Sequence, residues 1–303
     1  MFWNKKPDPL PHVYLEIVEQ VMAEQGAKPT RIKNGVSMKG AVTQSELTWH
    51  PEKGEEPAHF KVSTRLSGII EDTAQKLGYR MNSFASIGAL TAYKDGYFVQ
   101  SRLTLLEGDD AGEIHIPLLA AALSISADTL FRGMARSVQG QVNEDGTSDW
   151  TDQDIAQAGE LLERLCVCNY GDGVLTAEFG LDPDSVSVVR GGDHNTAMLQ
   201  ISTEERHPDI GPGLFIVLQM PHRIKDEKNL ERVIDALNRA EAKPLDSPPH
   251  FGAWCAGATL GDNPSYVTFL PNGLHIPGIA ANFAIWNFHR AQIAAVQLAA
   301  LGV

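Results

Sequence analysis

The chain has 303 residues, which is long for one domain and comfortable for two domains of about 150 residues each. Apolar residues make up 43% of it, enough to build buried cores, and this excludes an intrinsically disordered protein. The formal net charge of −13 is spread along the chain, and such a surface disfavours binding to nucleic acid or to an anionic membrane.

The two ends of the chain predict a cytoplasmic protein without a membrane segment. Residues 1–7 contain two lysines with no apolar core after them, which argues against a secretory signal. The least polar region, residues 278–303, is broken by polar residues. It therefore lacks the run of about 18 to 20 apolar residues that a bilayer span needs.

The first half predicts a helix, a set of strands and two further helical segments. Residues 9–24 place Tyr14, Ile17, Val18 and Val21 on one helical face. The remaining predicted elements are extended segments at 31–42, 46–50 and 58–70, a short polar helix at 71–79, a hairpin at 84–106 and a helical region at 117–138. Turn-forming residues then fill positions 139–150, which predicts a linker.

The second half repeats this succession. Residues 151–168 predict a helix with Thr151 as N-cap and Asp154 three residues on, close to a capping box. The following elements are strands at 174–181, 196–202 and 214–220, a helix at 226–240, a hairpin at 251–270 and a final alanine-rich helix. The order α-β-β-β-α-β-β-α predicts an α+β fold with two tandem similar domains, each an antiparallel sheet with helices packed on one side.

Two short motifs recur at the same place in each half. Gly-Ala-Leu-Thr-Ala at 88–92 aligns with Gly-Ala-Trp-Cys-Ala at 252–256. His-Ile-Pro at 115–117 aligns with His-Ile-Pro at 275–277. Because both matches fall in the same order of elements, we predict an internal duplication, with a first domain at 1–140 and a second at 141–303.

This order of elements, at this size and twice over, resembles the type III secretion chaperone-like fold. In particular it resembles the YbjN-type family of bacterial proteins, which are proposed regulators of sensory transduction. The hairpins at 84–106 and 251–270, each followed by a helix, and the helix at 226–240 carry the resemblance. The short helix at 71–79 departs from it. The resemblance implies a sheet with helices on one side and a role in binding protein partners, and it brings no catalytic residues.

One loop combines residues that could act on a ligand. Residues 191–195 place Asp193 beside His194, where the carboxylate could orient a general base. The same Gly, Asp and Asn residues also suit a turn that joins two strands. Asp193 and His194 are therefore candidate ligand residues. The chain has no P-loop, nucleophile elbow or dinucleotide fingerprint, so we predict no catalytic residue, cofactor site or metal site.

The repeated histidines and the cysteines have simpler explanations. His115 and His275 each precede a proline at the start of a helix, and an acid–base or metal role would need a partner that the sequence does not reveal. Cys166, Cys168 and Cys255 provide neither a disulfide framework nor a zinc set. We predict that all three cysteines are small buried hydrophobes.

The final helix holds the candidate partner contact. Trp286 and Phe288 are core residues by pattern, but on a partly exposed helix they would anchor a partner, because aromatic residues dominate interface energetics. We therefore expect a non-enzymatic protein-binding or adaptor module of YbjN-like type, with a protein partner or self-association. The alternatives are a small-molecule-binding protein or hydrolase-like enzyme with a cleft near Asp193 and His194, and a self-assembling structural protein.

Overall fold

The computed structural model describes residues 10–24, 26–39, 43–84, 86–105, 112, 114–124, 147–181, 196–207, 210–243, 247–257 and 262–303. These residues form two antiparallel sheets, one of 6 strands and one of 7, with helices packed against them. The predicted α+β class is confirmed. Within the described ranges, no helix is long and apolar enough to cross a membrane.

The described part of the first half begins and ends with a helix. Its described helices are α1 (Leu10–Glu24), α2 (Ile69–Leu77) and α3 (residues 114–124). Its strands are β1 (Thr30–Ile32), β2 (Gly35–Lys39), β3 (Gln44–His50), β4 (His59–Arg65), β5 (Ala89–Tyr93) and β6 (Gly96–Thr104). A 3-10 helix, Gly78–Phe84, joins α2 to β5.

The second half has the same plan. Its described helices are α4 (Asp152–Leu162), α5 (Glu227–Glu241) and α6 (Ile279–Ala300). Its strands are β7 (Val167–Gly171), β8 (Val174–Gly180), β9 (Thr196–Ser202), β10 (Arg206–His207), β11 (Gly211–Gln219), β12 (Ala253–Ala256) and β13 (Pro264–Pro271).

Local capping fixes where two helices of the second half begin. Thr151 and Asp154 form the predicted capping box, in which the Asp154 carboxylate accepts a bond of 2.8 Å from the Thr151 backbone N–H. Asp226 caps α5 by accepting from the Asn229 backbone N–H at 2.8 Å. The predicted apolar face of α5 is buried: Leu230, Val233, Ile234 and Leu237.

Among the described residues, four strands precede the middle helix of the first half and five, including the short β10, precede that of the second, where the sequence pattern predicts three in each half. The helix predicted over residues 151–168 ends at Leu162, and Val167–Gly171 forms β7, which pairs with β8. The extended segment predicted over 31–42 splits into β1 and β2, which pair with each other. In both places, pairing with a neighbouring strand overrides the local pattern.

The two sheets share one strand order. Read from the outer edge inward, the first sheet runs β1-β2-β3-β4-β6-β5 and the second runs β7-β8-β9-β11-β13-β12, with the short β10 pairing only with β11. In each half the middle helix connects the fourth strand of this path to the inner edge strand. A duplication would produce this correspondence. The duplication and the boundary near residue 140 stay predictions, since residues 125–146 lie outside the described residues.

The buried core joins the two halves. The largest hydrophobic cluster contains residues of α1 and α3 from the first half and of α4, α6 and the second sheet. A smaller cluster combines Leu66, Met81 and Val99 of the first half with Ala253 of β12. The inner edges of the two sheets therefore meet around shared apolar side chains, and this is where the halves form a cleft.

Candidate functional site

Of the four site residues predicted from the sequence, two lie outside the described residues and two lie on α6. Asp193 and His194 lie outside the described residues, so their ligand role stays a prediction. Trp286 and Phe288 lie on α6, where both are partly buried against the core. The Phe288 ring meets the Phe179 ring with centroids 5.3 Å apart. The partner role of these two aromatic residues also stays a prediction.

Each histidine of the repeated motif contacts the first helix of its own half. His275 Nε2 lies 3.1 Å from Asp154 Oδ2 on α4, and His115 Nδ1 lies 3.5 Å from the Tyr14 hydroxyl on α1. Burial would raise the pKa of Asp154, but hydrogen bonds from Thr151 and His275 hold it below its ordinary value. These contacts tie the first turn of α3 and the segment before α6 to the first helix of the same half, which supports the predicted structural role.

Within the described residues, the cysteines and the other metal-ligating residue types form neither a metal cluster nor a reactive thiolate. Among the described residues, no group of three or more His, Cys, Asp or Glu side chains could hold a metal ion. Cys166 and Cys255 are buried as predicted, and burial raises the pKa of each thiol to about 12. Neither thiol is therefore a reactive thiolate at neutral pH. Cys168, predicted within a helix, is partly buried in β7.

The halves pair with each other reciprocally along their inner strands. Arg102 of β6 and His250 exchange two backbone hydrogen bonds, of 2.9 and 2.7 Å. Phe269 of β13 donates its backbone N–H to the Ser86 carbonyl at 3.1 Å, and the Ser86 hydroxyl donates to the Phe269 carbonyl at 2.7 Å. The last strand of each half thus bonds to the segment just before the inner edge strand of the other half: β6 bonds to His250, before β12, and β13 bonds to Ser86, before β5. This exchange has the character of a twofold interface within one chain.

Arg102 crosses from the first half into the second. Its guanidinium donates from Nε to the Glu241 carbonyl at 3.0 Å, and from Nη2 to the Ser247 hydroxyl at 2.7 Å and the Pro248 carbonyl at 2.9 Å. Only 1% of the residue is exposed. Burial lowers the pKa of Arg102 to about 10, so the side chain stays charged at neutral pH. Arg102 therefore fixes β6 against the chain that leaves α5.

A buried carboxylate balances the arginines. Glu241 Oε1 accepts from Arg290 Nε at 2.7 Å, and the Arg290 guanidinium lies over the Tyr266 ring, 3.9 Å from its centroid. Burial would raise the pKa of Glu241, but the charge of Arg290 holds it below its ordinary value. Burial lowers the pKa of His250 to about 3, so this histidine is neutral. We call Arg102, Glu241, Arg290, His250 and Tyr266 the interface ion cluster.

A cleft of about 530 Å³ lies between α5 of the second half and the inner edge of the first sheet. Its volume falls within the roughly 300–1,000 Å³ typical of small-ligand sites. The α5 wall carries Lys228, Glu231, Arg232 and Asp235, which share one face because they stand at positions i, i+3, i+4 and i+7 of the helix. The remaining lining residues are Gln75, Gly78, Tyr79, Leu90, Ala92 and Tyr97 of the first half, and Asn238 of α5.

Two of the four charges on the α5 wall are already engaged. Arg232 donates to a backbone carbonyl near the C-terminus at 3.2 Å, and Asp235 pairs with Arg239 at 2.8 Å. Lys228 and Glu231 are exposed and form no hydrogen bond or ion pair with another described residue. The wall therefore presents one cation and one anion that can interact with a ligand.

A buried asparagine binds the edge strand of each half. The Asn82 side chain accepts from the Leu90 backbone N–H at 2.7 Å and donates to the Leu90 carbonyl at 3.4 Å. Asn238 makes the same two bonds with Trp254, at 2.8 and 2.9 Å. Leu90 and Trp254 occupy equivalent positions in the repeated motif. In both halves an amide side chain thus takes the place of a further strand.

The edge of β5 continues into the cleft beyond this amide. Because the Leu90 backbone groups bind Asn82, they point away from β6, and strand alternation places the N–H and C=O of Ala92 on the same outer edge. Ala92 lines the cleft, and no hydrogen bond from another described residue reaches these two groups. The outer edge of β5 therefore offers one unpaired backbone donor and one unpaired backbone acceptor at a residue that lines the cleft.

Sequence reasoning found the elements of this site but not the site itself. The hairpin with β5 and the buried face of α5 follow from local patterns, whereas the polar face of α5 looks like any solvated helix surface. Arg102 and Arg290 each have no other Asp, Glu, Lys or Arg within four positions along the chain. Since such residues are almost never fully buried unless paired, they are the one signal in the sequence for a buried ionic interface.

A scan against protein-family models, a search of curated proteins and a search of solved structures found no significant match to this chain. The resemblance to the YbjN-type family therefore stays an expectation. The function has to be argued from the cleft and from the contacts that form it.

Proposed function

We propose that the protein is a non-enzymatic binding module of regulatory or adaptor type, and that the cleft between its halves is its ligand site. The observation that carries this proposal is the origin of the walls: α5 comes from the second half, and β5, β6 and the 3-10 helix come from the first. A ligand in the cleft would touch both halves. Occupancy would therefore change the relation between the halves, which is what a regulatory module needs.

The distribution of ionisable groups supports binding rather than catalysis. Strongly shifted pKa values are typical of catalytic residues. Here the pKa of His250, lowered to about 3 by burial, and that of Arg102, lowered to about 10, belong to fully buried residues of the interface ion cluster. The charged residues of the cleft instead lie on one largely exposed helix face. Such a face is suited to recognising charge on a ligand.

The other expectations form part of the same proposal. We place the protein in the cytoplasm, in a YbjN-like regulatory role that involves no nucleic acid, and the net charge of −13 supports the last point. A protein partner would contact Trp286 and Phe288. The alternative of a ligand or hydrolase site at Asp193 and His194 depends on residues outside the described part of the chain.

Photocrosslinking from inside the cleft tests the proposal. Gln75 and Lys76 are adjacent exposed residues of α2, and only Gln75 lines the cleft. We expect p-benzoylphenylalanine at position 75, irradiated in cells, to yield the protein with a discrete added mass, and the same group at position 76 to yield none. Tyr97→Ala should remove the adduct. An absent adduct at position 75, or the same adduct at both positions, would contradict the proposal.

A further inference from the structure

The edge of β5 gives the cleft a preference for a peptide unit. Ala92 lines the cleft, and its N–H and C=O lie on the outer edge of β5 without a hydrogen bond from another described residue. The neighbouring edge position, Leu90, already binds the amide of Asn82 at 2.7 and 3.4 Å. The Asn82 side-chain amide at Leu90 shows that this edge can bind an amide group as a neighbouring strand would. A ligand residue beside Ala92 would exchange two hydrogen bonds with it and continue the row.

Aromatic side chains flank the same position. Ala92 lies directly opposite Tyr97 on β6, so both side chains stand on one face of the sheet. Tyr79 of the 3-10 helix lines the cleft as well, and both tyrosines are partly buried. An apolar side chain on the ligand residue would pack against these rings.

The α5 wall adds charges of both signs. Lys228 and Glu231 are one turn apart, which places their Cβ atoms about 5–6 Å from each other, and their flexible side chains widen this reach. An extended peptide of two or three residues is about 7–11 Å long. A carboxylate at one end and an ammonium at the other therefore match the two unengaged charges of the wall.

From these three features we propose that the cleft binds a short peptide with charged termini, extended along the edge of β5. The ligand pairs with the backbone of Ala92, packs one side chain against Tyr79 and Tyr97, and directs its carboxylate to Lys228 and its ammonium to Glu231. This assignment rests on the proposed function and names the ligand class for the same cleft.

Calorimetric titration with the tripeptide Ala-Leu-Ala is the direct test. We expect saturable binding by the free tripeptide. N-methylation of the leucine nitrogen removes the N–H that would bond the Ala92 carbonyl, so it should weaken binding by about two- to twelvefold. Acetylation and amidation of the ends remove both charges and should weaken it by a similar factor or more. Because these changes are made in the ligand, the test does not depend on the folding of a variant.

Variants of the protein complete the test. Ala92→Pro removes an N–H that the sheet does not use and should weaken Ala-Leu-Ala binding, with an unchanged urea midpoint as evidence of folding. Lys228→Gln should weaken binding of the free tripeptide more than that of the capped one. Lys225→Gln, in the same segment but outside the cleft, should change neither.

Three results would overturn the peptide assignment. They are a free tripeptide that does not bind, an N-methylated tripeptide that binds equally well, and a capped tripeptide that binds as tightly as the free one. The last result would point to a segment of a longer chain. Crosslinking from position 75 distinguishes failure of the peptide assignment from failure of the proposed function. If it captures a ligand while the tripeptides fail, the binding module stands and the peptide assignment falls.

Discussion

Removing the buried carboxylate of Glu241 is the sharpest test of how the halves are joined. Its side chain is 10% exposed, and it accepts from Arg290, whose side chain is 2% exposed, at 2.7 Å. Arg102, 1% exposed, also lies within the influence of this charge. Glu241→Ala therefore leaves two buried guanidinium groups without their compensating anion.

The expected loss of stability follows from that geometry. Removing one partner of a buried ion pair costs about 3–5 kcal/mol, because the remaining charge is buried and uncompensated. We expect Glu241→Ala to lower the free energy of unfolding by about this amount. Replacing both partners should cost less than the sum of the single changes by about 1–3 kcal/mol, since Glu241→Ala with Arg290→Met removes the stranded charge as well.

Urea unfolding followed by tryptophan fluorescence and by circular dichroism provides the measurement, and coincident transitions justify the free energies. Glu231→Ala is the matched control, because Glu231 lies on the same helix but is exposed. It should change the free energy by no more than about 0.5 kcal/mol. A loss below about 1 kcal/mol for Glu241→Ala, or strict additivity with Arg290→Met, would refute the reasoning.

Three further predictions test other parts of the fold. Gly252→Ala would place a Cβ against a buried threonine hydroxyl and a strand carbonyl, and should cost at least about 1–3 kcal/mol in urea unfolding, whereas Gly273→Ala, with open space around its Cβ position, should be neutral. Asn82→Leu leaves the N–H and C=O of Leu90 without a hydrogen-bond partner, so it should lower the free energy of unfolding by about 1–3 kcal/mol and speed hydrogen exchange of the Leu90 amide. Unchanged exchange would count against the edge contact. Acid should lower the free energy of unfolding in two stages. The pKa of His250 falls from 6.5 to about 3 on folding, so stability drops as the pH falls below 6.5. The pKa of Glu241 is also lowered on folding, so a further loss begins as the pH falls below its ordinary value of 4.5. His250→Gln should flatten the upper part of this urea-stability profile, and an unaltered profile would contradict it.

Much of the secondary structure follows from interactions between residues that are close in the sequence. The capping box of Thr151 and Asp154, the cap at Asp226 and the apolar stripe of α5 involve residues at most a few positions apart, so their pattern is visible in the sequence. The hairpin of β12 and β13 and the strands β8 and β9 follow from β-prone runs between turn residues. The repeated motifs also pointed to the two inner edge strands, where Asn82 and Asn238 bind equivalent residues.

Other features have no local signature. The helix predicted over residues 151–168 overlaps the start of Val167–Gly171, and only pairing with β8 makes this segment a strand. The contact of Arg102 with Glu241 joins residues 139 positions apart, and neither residue type reveals its partner. The cleft depends on α5 standing against the edge of β5, so its lining is assembled from separate parts of the chain.

The sequence by itself therefore determined most of the element types, their repeated order and the inward face of α5, because capping, turns and hydrophobic periodicity act over a few residues. The tertiary structure alone decided how the two sheets meet, which charges are buried together and which backbone groups remain open to a ligand. Those outcomes depend on desolvation and on pairing between distant segments. A local sequence pattern does not indicate which distant segment a strand or a charged residue will contact.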